Sequence, residues 1–526
     1  MHQDNESGSG SGSNPGYGSN YLIVRPHRGG YTDLFRYGVR GDEASKAKFL
    51  EWPEHRSRST AVIDEEAEDR RWVIVVSILV RKIIGLLRTP MEITGRFVDF
   101  FLNLLSANGG FFGLLLRIIQ AKVVIPERGS VTFISTIGHL DGRIDLYKGW
   151  NFVEQLVSID SVNSGSPGSV GIEPGSRGLM DLCVMASKLA YENAKVVENV
   201  VNLHWKMNLV EFLDCWNEYQ EQLSTQVFIL TDKQKDANLI LVSFRGTEPF
   251  DADDWGTDFD YSWYDIPNAG KLHMGFIEAM GLGSRNDTPT FHYHLLAQTS
   301  SDSEEESHKR RNVLEMGKRS AYYAVQKTLE RLLSEHENAQ FVVTGHSLGG
   351  ALAILFPTLL VLKEETEMMK RLLGVYTFGQ PRIGNREIGS FMTAQLNHPV
   401  DRYFRVVYCN DLVPRLPYDD KTFLYKHFGT CLYYDSFYNE TKAEDEPDPN
   451  PYGMRYEILG HVNAVWELVR GLTMGYIYGP GYREGWFRIL LRLVGLLIPG
   501  LSDHCTNDYV NSVRLGPDYD LQMSPL

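Results

Sequence analysis

The sequence predicts an α/β protein, a mostly parallel central sheet flanked by helices on both faces. Two observations carry this. From about residue 129 onward, short apolar and β-branched runs alternate with longer stretches of helical spacing. One such run, 341-FVVT-344, also passes into the helix-like 348-LGGALAILF-356 through a corner in which a serine is boxed by glycines, 345-GHSLG-349.

The elements follow in order. Residues 1–20 are polar and Gly/Ser-rich, with no basic start and no apolar run; they read as a flexible tail and not as a secretory signal. Residues 21–69 are mixed and charged, with the acidic cluster DEEAED at 64–69, and little packed core is expected there. Residues 70–126 are apolar and basic, with eight Arg and Lys against two acidic residues between 70 and 122. The run 72–80 would make a helix of about 14 Å, too short for about 30 Å of hydrocarbon. The run 97–119 is interrupted by Asp99, Asn103, Asn108 and Gly109-Gly110. A hairpin, or two helices lying in a lipid interface with Arg and Lys at the head groups, fits better than a span.

Within 129–526, the stretches 131–135, 225–232, 239–247, 341–344, 373–381 and 403–411 read as strands. Residues 178–193, 313–336 and 348–362 read as helices, and 282–312 and 435–453 as polar or acidic loops. In 486–501, arginines are interspersed with leucines, which suits a helix on the same lipid-facing surface. Three regions result: an irregular 1–69, a lipid-associating helical 70–126, and an α/β domain over 129–526.

The chain carries 52 Lys and Arg against 67 Asp and Glu, a net charge of −15. With no basic tract outside 70–122, nucleic acid is excluded as a partner. The five cysteines are scattered, without CxxC or Cys/His spacing, so neither a disulfide framework nor a zinc site is expected. No organic cofactor or metal is implied.

Gly345 and Gly349 allow a sharp strand-to-helix turn that holds Ser347 out at the carboxyl end of the sheet. Such a serine needs a base and an orienting acid, which follow it in the order acid, then histidine. Asp411 closes the strand 403–411 and is the acid candidate; Asp401, Asp419 and Asp420 compete. His398 precedes the acid, leaving His427, His461 and His504. His461 opens a helix-like run, whereas His504 sits in a polar loop after an apolar helix. The loop context favours His504, with His427 its main competitor. Oxyanion donors are expected from the backbone N–H of Leu348 and of Thr247, in the Arg-Gly-Thr that ends 239–247.

Taken together, FRGT, GHSLGGALA, FGQPRIGN (378–385), NDLVPRLP (410–417) and SDH (502–504) resemble the class 3 lipases, which include the fungal triacylglycerol lipases. The match in order and type covers about 225–510. The resemblance implies an α/β-hydrolase fold, with Ser347 as nucleophile, Asp411 as acid, His504 as base and Thr247 with Leu348 as oxyanion donors. It also implies a lid after Thr247, here 248–263, with Trp255, Phe259 and Trp263 as candidate lipid-facing residues. The tail, the apolar 70–126 and the long 264–336 insertion are similar to the plant oil body lipases. That implies acylglycerol substrates, above all stored triacylglycerol, at a cytosol-facing lipid droplet or the endoplasmic reticulum membrane. A phospholipase or galactolipase on the same residues, and a non-catalytic droplet protein of this fold, are the rival readings.

Overall fold

The computed structural model describes residues 20–53, 71–143, 173–296, 319–397, 399–417, 424–447 and 454–516. The Gly/Ser tail, the acidic cluster 64–69, His398, Asp419, Asp420 and parts of the loops 282–312 and 435–453 lie outside them.

Among the described residues, twelve strands form two sheets. In chain order they are β1 (Tyr21–Val24), β2 (Leu50–Glu51), β3 (Asn208–Asn217), β4 (Gln222–Thr231), β5 (Leu239–Phe244), β6 (Trp263–Ile266), β7 (Gly270–His273), β8 (Gln340–His346), β9 (Leu372–Phe378), β10 (Tyr403–Tyr408), β11 (Thr430–Tyr434) and β12 (Glu440–Ala443). The large sheet has the order β12-β11-β10-β9-β8-β5-β4-β3. Its five central strands, β5 and β8–β11, run parallel, and β3, β4 and β12 are antiparallel additions at the two edges. Apart from Gln340 and Tyr433 the central strands are buried, and they read as near-continuous apolar runs because both faces are covered.

The helices that position the site and shape the outer surface are α1 (Tyr31–Arg40), α2 (Glu43–Phe49), α3 (Arg71–Ala107), α4 (Gly110–Ile119), α5 (Arg177–Leu189), α6 (Ala252–Asp258), α7 (Leu348–Leu362), α8 (Met454–Ile477), α9 (Trp486–Gly495) and α10 (Thr506–Leu515). One face of the sheet packs on α7 and the helices 274–279, 321–335 and 386–396; the other packs on α5 and α10. The strands expected at 225–232, 239–247, 341–344, 373–381 and 403–411 are present as β4, β5, β8, β9 and β10.

Several expectations are corrected. Within the expected loops 282–312 and 435–453, Pro289–Leu295 is a helix and Glu440–Ala443 is the edge strand β12, held by its pairing with β11. Residues 131–135 are not a strand: Ser135 caps a short helix, accepting the Gly138 N–H at 3.0 Å, while its own N–H and hydroxyl donate to Glu192. Residues 20–53 are not irregular. β1 pairs with both β2 and β6 in a second sheet of order β2-β1-β6-β7, which places this segment on the α/β domain. Leu22, Val24, Tyr37 and Phe49 join Val73, Ile74, Ile78 and Trp263 in a core of their own. Local composition hides this because the apolar partners come from far along the chain.

The runs 72–80 and 97–107 belong to one 37-residue helix, α3, which continues through Pro90 and ends before a turn at Asn108-Gly109; α4 follows. One side of its first turns, Val73, Ile74 and Ile78, is buried core, and its basic residues are partly committed to protein. Arg81 bonds Asp260 at 2.7 Å, Lys82 donates to the Gly29 carbonyl at 2.6 Å, and Arg88 pairs with Asp253 at 2.7 Å. No helix among the described residues is long and apolar enough to cross a membrane.

Candidate active site

β8 ends at His346 and α7 begins at Leu348, so Ser347 alone makes the corner, with φ 59° and ψ −134°. The glycines are required by close backbone approach. A Cβ on Gly345 would meet the Gly349 carbonyl oxygen at 2.1 Å, and one on Gly349 would meet that of Phe244 at 2.3 Å. Any side chain there would push the helix off the sheet, and Ser347 is held in a backbone region that L-residues rarely occupy.

The three sequence candidates meet. The Ser347 hydroxyl lies 2.8 Å from His504 Nε2, and His504 Nδ1–H donates to Asp411 Oδ2 at 2.7 Å. Asp411 follows the end of β10 and is fully buried; its other oxygen accepts the Val413 N–H at 2.9 Å. With Nδ1–H held by the carboxylate, Nε2 is the acceptor facing the serine, the arrangement that lets an imidazole take a proton from a hydroxyl.

His427 is not part of this group. It is buried, its Nε2–H donates to the Pro414 carbonyl at 2.7 Å, and burial next to Arg405 holds its pKa well below the usual histidine range. His461 lies inside α8 rather than at its start, exposed and bonded to the Glu457 carbonyl. Asp401 instead accepts bonds from Thr430 and Lys442.

Several supporting groups are not legible in the sequence. Tyr509, on the first turn of α10, donates its hydroxyl to Asp411 Oδ2. Gly379, at φ 60°, lies so close that a Cβ would stand 2.8 Å from the Tyr509 hydroxyl, 2.9 Å from Asp411 Oδ2 and 3.0 Å from His504 Cε1. His346 Nε2–H donates to the His504 carbonyl at 2.9 Å, and its Nδ1 accepts from Tyr191 at 2.8 Å. Burial, with His504 beside it, holds His346 neutral by lowering its pKa.

The peptide before Asp411 is gripped on both sides. Asn410 N–H donates to Asp503 at 3.0 Å, and its carbonyl accepts from Tyr456 on α8 at 2.5 Å. The one sequence signal for these is the position of Asp503 and Tyr509 in the same short run as His504.

Thr247 lies three residues past the end of β5, and its hydroxyl donates to Asp258 on α6 at 3.0 Å. Gly246 faces the corner: a Cβ there would meet the His346 carbonyl oxygen at 2.2 Å. Burial raises the Asp258 pKa well above the carboxylate range, and that of Asp254 is pushed up to about 7 by burial with Asp251 beside it. Of the three aromatic candidates in 248–263, Trp255 lies over His504, with ring centroids 6.5 Å apart, and Phe259 is half-buried. Trp263 is not lipid-facing: it is buried in β6 within the core beneath β1.

Two clusters combine metal-ligating residue types, Cys409–Glu467–Asp503 and His427–Asp445–Glu446. Arginines already sit on their carboxylates. Arg492 reaches Glu467 at 3.0 Å, and Arg382 reaches Glu446 at 3.1 Å, so the positive charge is supplied from within.

A parallel sheet with a serine corner after β8, an aspartate after β10 and a histidine beyond the last strand defines an α/β-hydrolase. Residues 241–421 match the family model described as lipase (class 3). The chain is 82% identical to a triacylglycerol lipase OBL1 of Arabidopsis thaliana, over the whole of both chains. It is 54% identical to one of Nicotiana tabacum, covering 96% of each chain, and 45% identical to one of Ricinus communis, covering 97% of each. The protein belongs to the class 3 lipases, a family of ester hydrolases, together with these plant members.

Proposed function

We propose that this protein is a triacylglycerol lipase acting at the surface of lipid droplets. The observation that carries the reading is the unbroken hydrogen-bonded series Ser347–His504–Asp411; the names of the plant relatives support the substrate class. Ser347 attacks the acyl carbonyl as His504 takes its proton, and Asp411 holds the resulting imidazolium. Backbone N–H groups of Leu348 and Thr247 stabilise the oxyanion. His504 then returns the proton to the leaving glyceride oxygen, and water attacks the acyl-serine by the same route.

Ser347 is wholly buried and the Trp255 ring stands beside that of His504, so the part of 248–263 that carries Trp255, and not the β6 end of it, has to move for substrate to reach the serine. α3 packs on that segment. Arg88 pairs with Asp253, Phe250 fills the space at Gly95, and the Ser77 hydroxyl donates to the Phe259 carbonyl at 2.6 Å. Association with the droplet falls to α4, whose ten residues GFFGLLLRII include none that is buried.

Ser347→Ala is expected to abolish hydrolysis of emulsified triolein and labelling by a fluorophosphonate while leaving the fold and droplet binding unchanged. Substantial activity in the purified variant refutes the mechanism. Preferred hydrolysis of phosphatidylcholine or galactolipid emulsions by the parent refutes the substrate, and failure of the parent to label points to a non-catalytic protein.

A further inference from the structure

α8 and α9 have inverted polarity. On α9, Arg488 and Arg492 are buried, while Trp486, Leu490 and Leu493 stand about half exposed. On this helix, then, the leucines face outward and the arginines inward. α8 repeats the pattern. Glu467 and Arg470 are buried, whereas Val462, Val469 and Leu472 are exposed, and Tyr476 is 92% exposed.

The inward charges hold one another. Arg492 bonds Glu467 at 3.0 Å, Glu484 at 2.7 Å and Asp508 at 2.9 Å; Arg470 reaches Asp508 at 3.3 Å, and Arg488 bonds the same carboxylate. Desolvating ions is costly, and leaving leucines in water returns none of that cost. A helix pair meant to face water would be turned the other way. The ion pairs fix the rotation of both helices about their axes, so the apolar faces cannot roll inward.

The outer face has a definite chemistry. Between Ile458 and Ile498 the one exposed side chain with a permanent charge is Arg483; Glu467 and Glu484, the acidic residues in this stretch, are both buried. This occurs in a chain with 67 acidic residues. A surface that docks another protein carries a polar and charged rim. Here the exposed side chains include Trp466, Tyr478 and Trp486, amphipathic rings of the kind found at the boundary between head groups and acyl chains.

The face is also continuous with the N-terminal one. An apolar crevice of about 560 Å³ lies between α3, α4 and α9, lined by Phe101, Leu102, Leu105, Phe111, Trp486 and Phe487 among others. α4 stands beyond it with no buried residue.

We propose that the outer face of α8 and α9 is a second lipid-contacting element, seated in the phospholipid monolayer of a droplet beside α4. The proposal rests on the lipase reading above and deepens it, because α8 also carries Tyr456, which holds the peptide before Asp411. Lipid contact is thereby made by the same helix that positions the acid loop.

The test uses the full chain with Val462, Val469 and Leu472 replaced together by Glu, with Leu490→Gln/Leu493→Gln as an independent pair and Phe112→Glu on α4 as the comparison. Flotation with triolein droplets coated by phosphatidylcholine and phosphatidylserine reads binding, and hydrolysis of water-soluble p-nitrophenyl butyrate reads the fold and the site. The expected result is a loss of droplet affinity of about tenfold or more in the α8 triple variant and the α9 pair. The soluble-ester rate should stay within about twofold of the parent. Droplet affinity equal to the parent's in a variant that retains the soluble-ester rate overturns the proposal. So does a parent dimer that the α8 substitutions split without changing droplet affinity, which would assign the face to a second copy. A parent that floats but hydrolyses neither ester tells against the lipase reading alone.

Discussion

Removing the hydroxyl of Tyr509 tests the acid of the site without touching substrate. Tyr509 is fully buried, its ring packed edge-on against His346 and Phe378, and its hydroxyl donates to the Asp411 oxygen that also accepts from His504. Tyr509→Phe deletes one oxygen and leaves the packing in place, so the transfer and cavity terms are small. What is lost is a hydrogen bond to a charged group, worth about 1.5–3 kcal/mol. Were all of it lost in the transition state, the rate would fall by roughly ten- to 150-fold. Because part of it falls on stability, the expected loss in kcat is about tenfold, with KM for a soluble ester unchanged.

Unfolding gives a second readout, because the part of the bond that falls on stability appears there. Stopped assays with p-nitrophenyl butyrate, together with urea unfolding, measure both effects. A variant with parental kcat would refute the assignment of Asp411 as the partner of His504.

Two further outcomes are expected. Gly379→Ala places a methyl group against Tyr509, Asp411 and His504 at a position with φ 60°. It should lower kcat by roughly a hundredfold, with fluorophosphonate labelling of Ser347 slowed in parallel and the secondary structure retained by circular dichroism. His273 is fully buried, its Nε2–H bonded to the Asp260 carbonyl and its Nδ1 accepting the Phe276 N–H, and burial lowers its pKa to about 4. In the unfolded chain it takes a proton near pH ~6.5. Between these values the unfolded state binds more protons, so stability falls as pH drops from about 6.5 to about 4, by roughly 3 kcal/mol in all. His273→Asn keeps a helix cap and should flatten this dependence, as urea midpoints at pH 7 and pH 4.5 would record.

Much of the site can be read along the chain because its parts are local. A strand, two glycines around a serine and a run of helix formers specify the corner within a dozen residues. Asp411 is marked by the strand it follows. Loop context favours His504 over His427, and the structure adds the reason: His427 is spent on the Pro414 carbonyl.

Other features depend on contacts between distant segments. The core under β1 draws on residues 22–50, 73–78 and 261–263, and on Leu424 and Tyr425, so no window of sequence contains its pattern. Tyr509 is 98 positions from the carboxylate it serves. The alternation of arginine and leucine in 486–501 reads as a helix on a lipid-facing surface, without telling which of its sides is turned outward. Burial decides that, because Asp508, Glu467 and Glu484 converge on the inner side of α9 and satisfy its guanidiniums there. The sequence alone determined which residue types stand at the serine corner, and in what order acid and base follow it. Only the tertiary structure decided which face of each outer helix is apolar and what supports Asp411, since both depend on where charges far apart in the chain meet once water has been excluded.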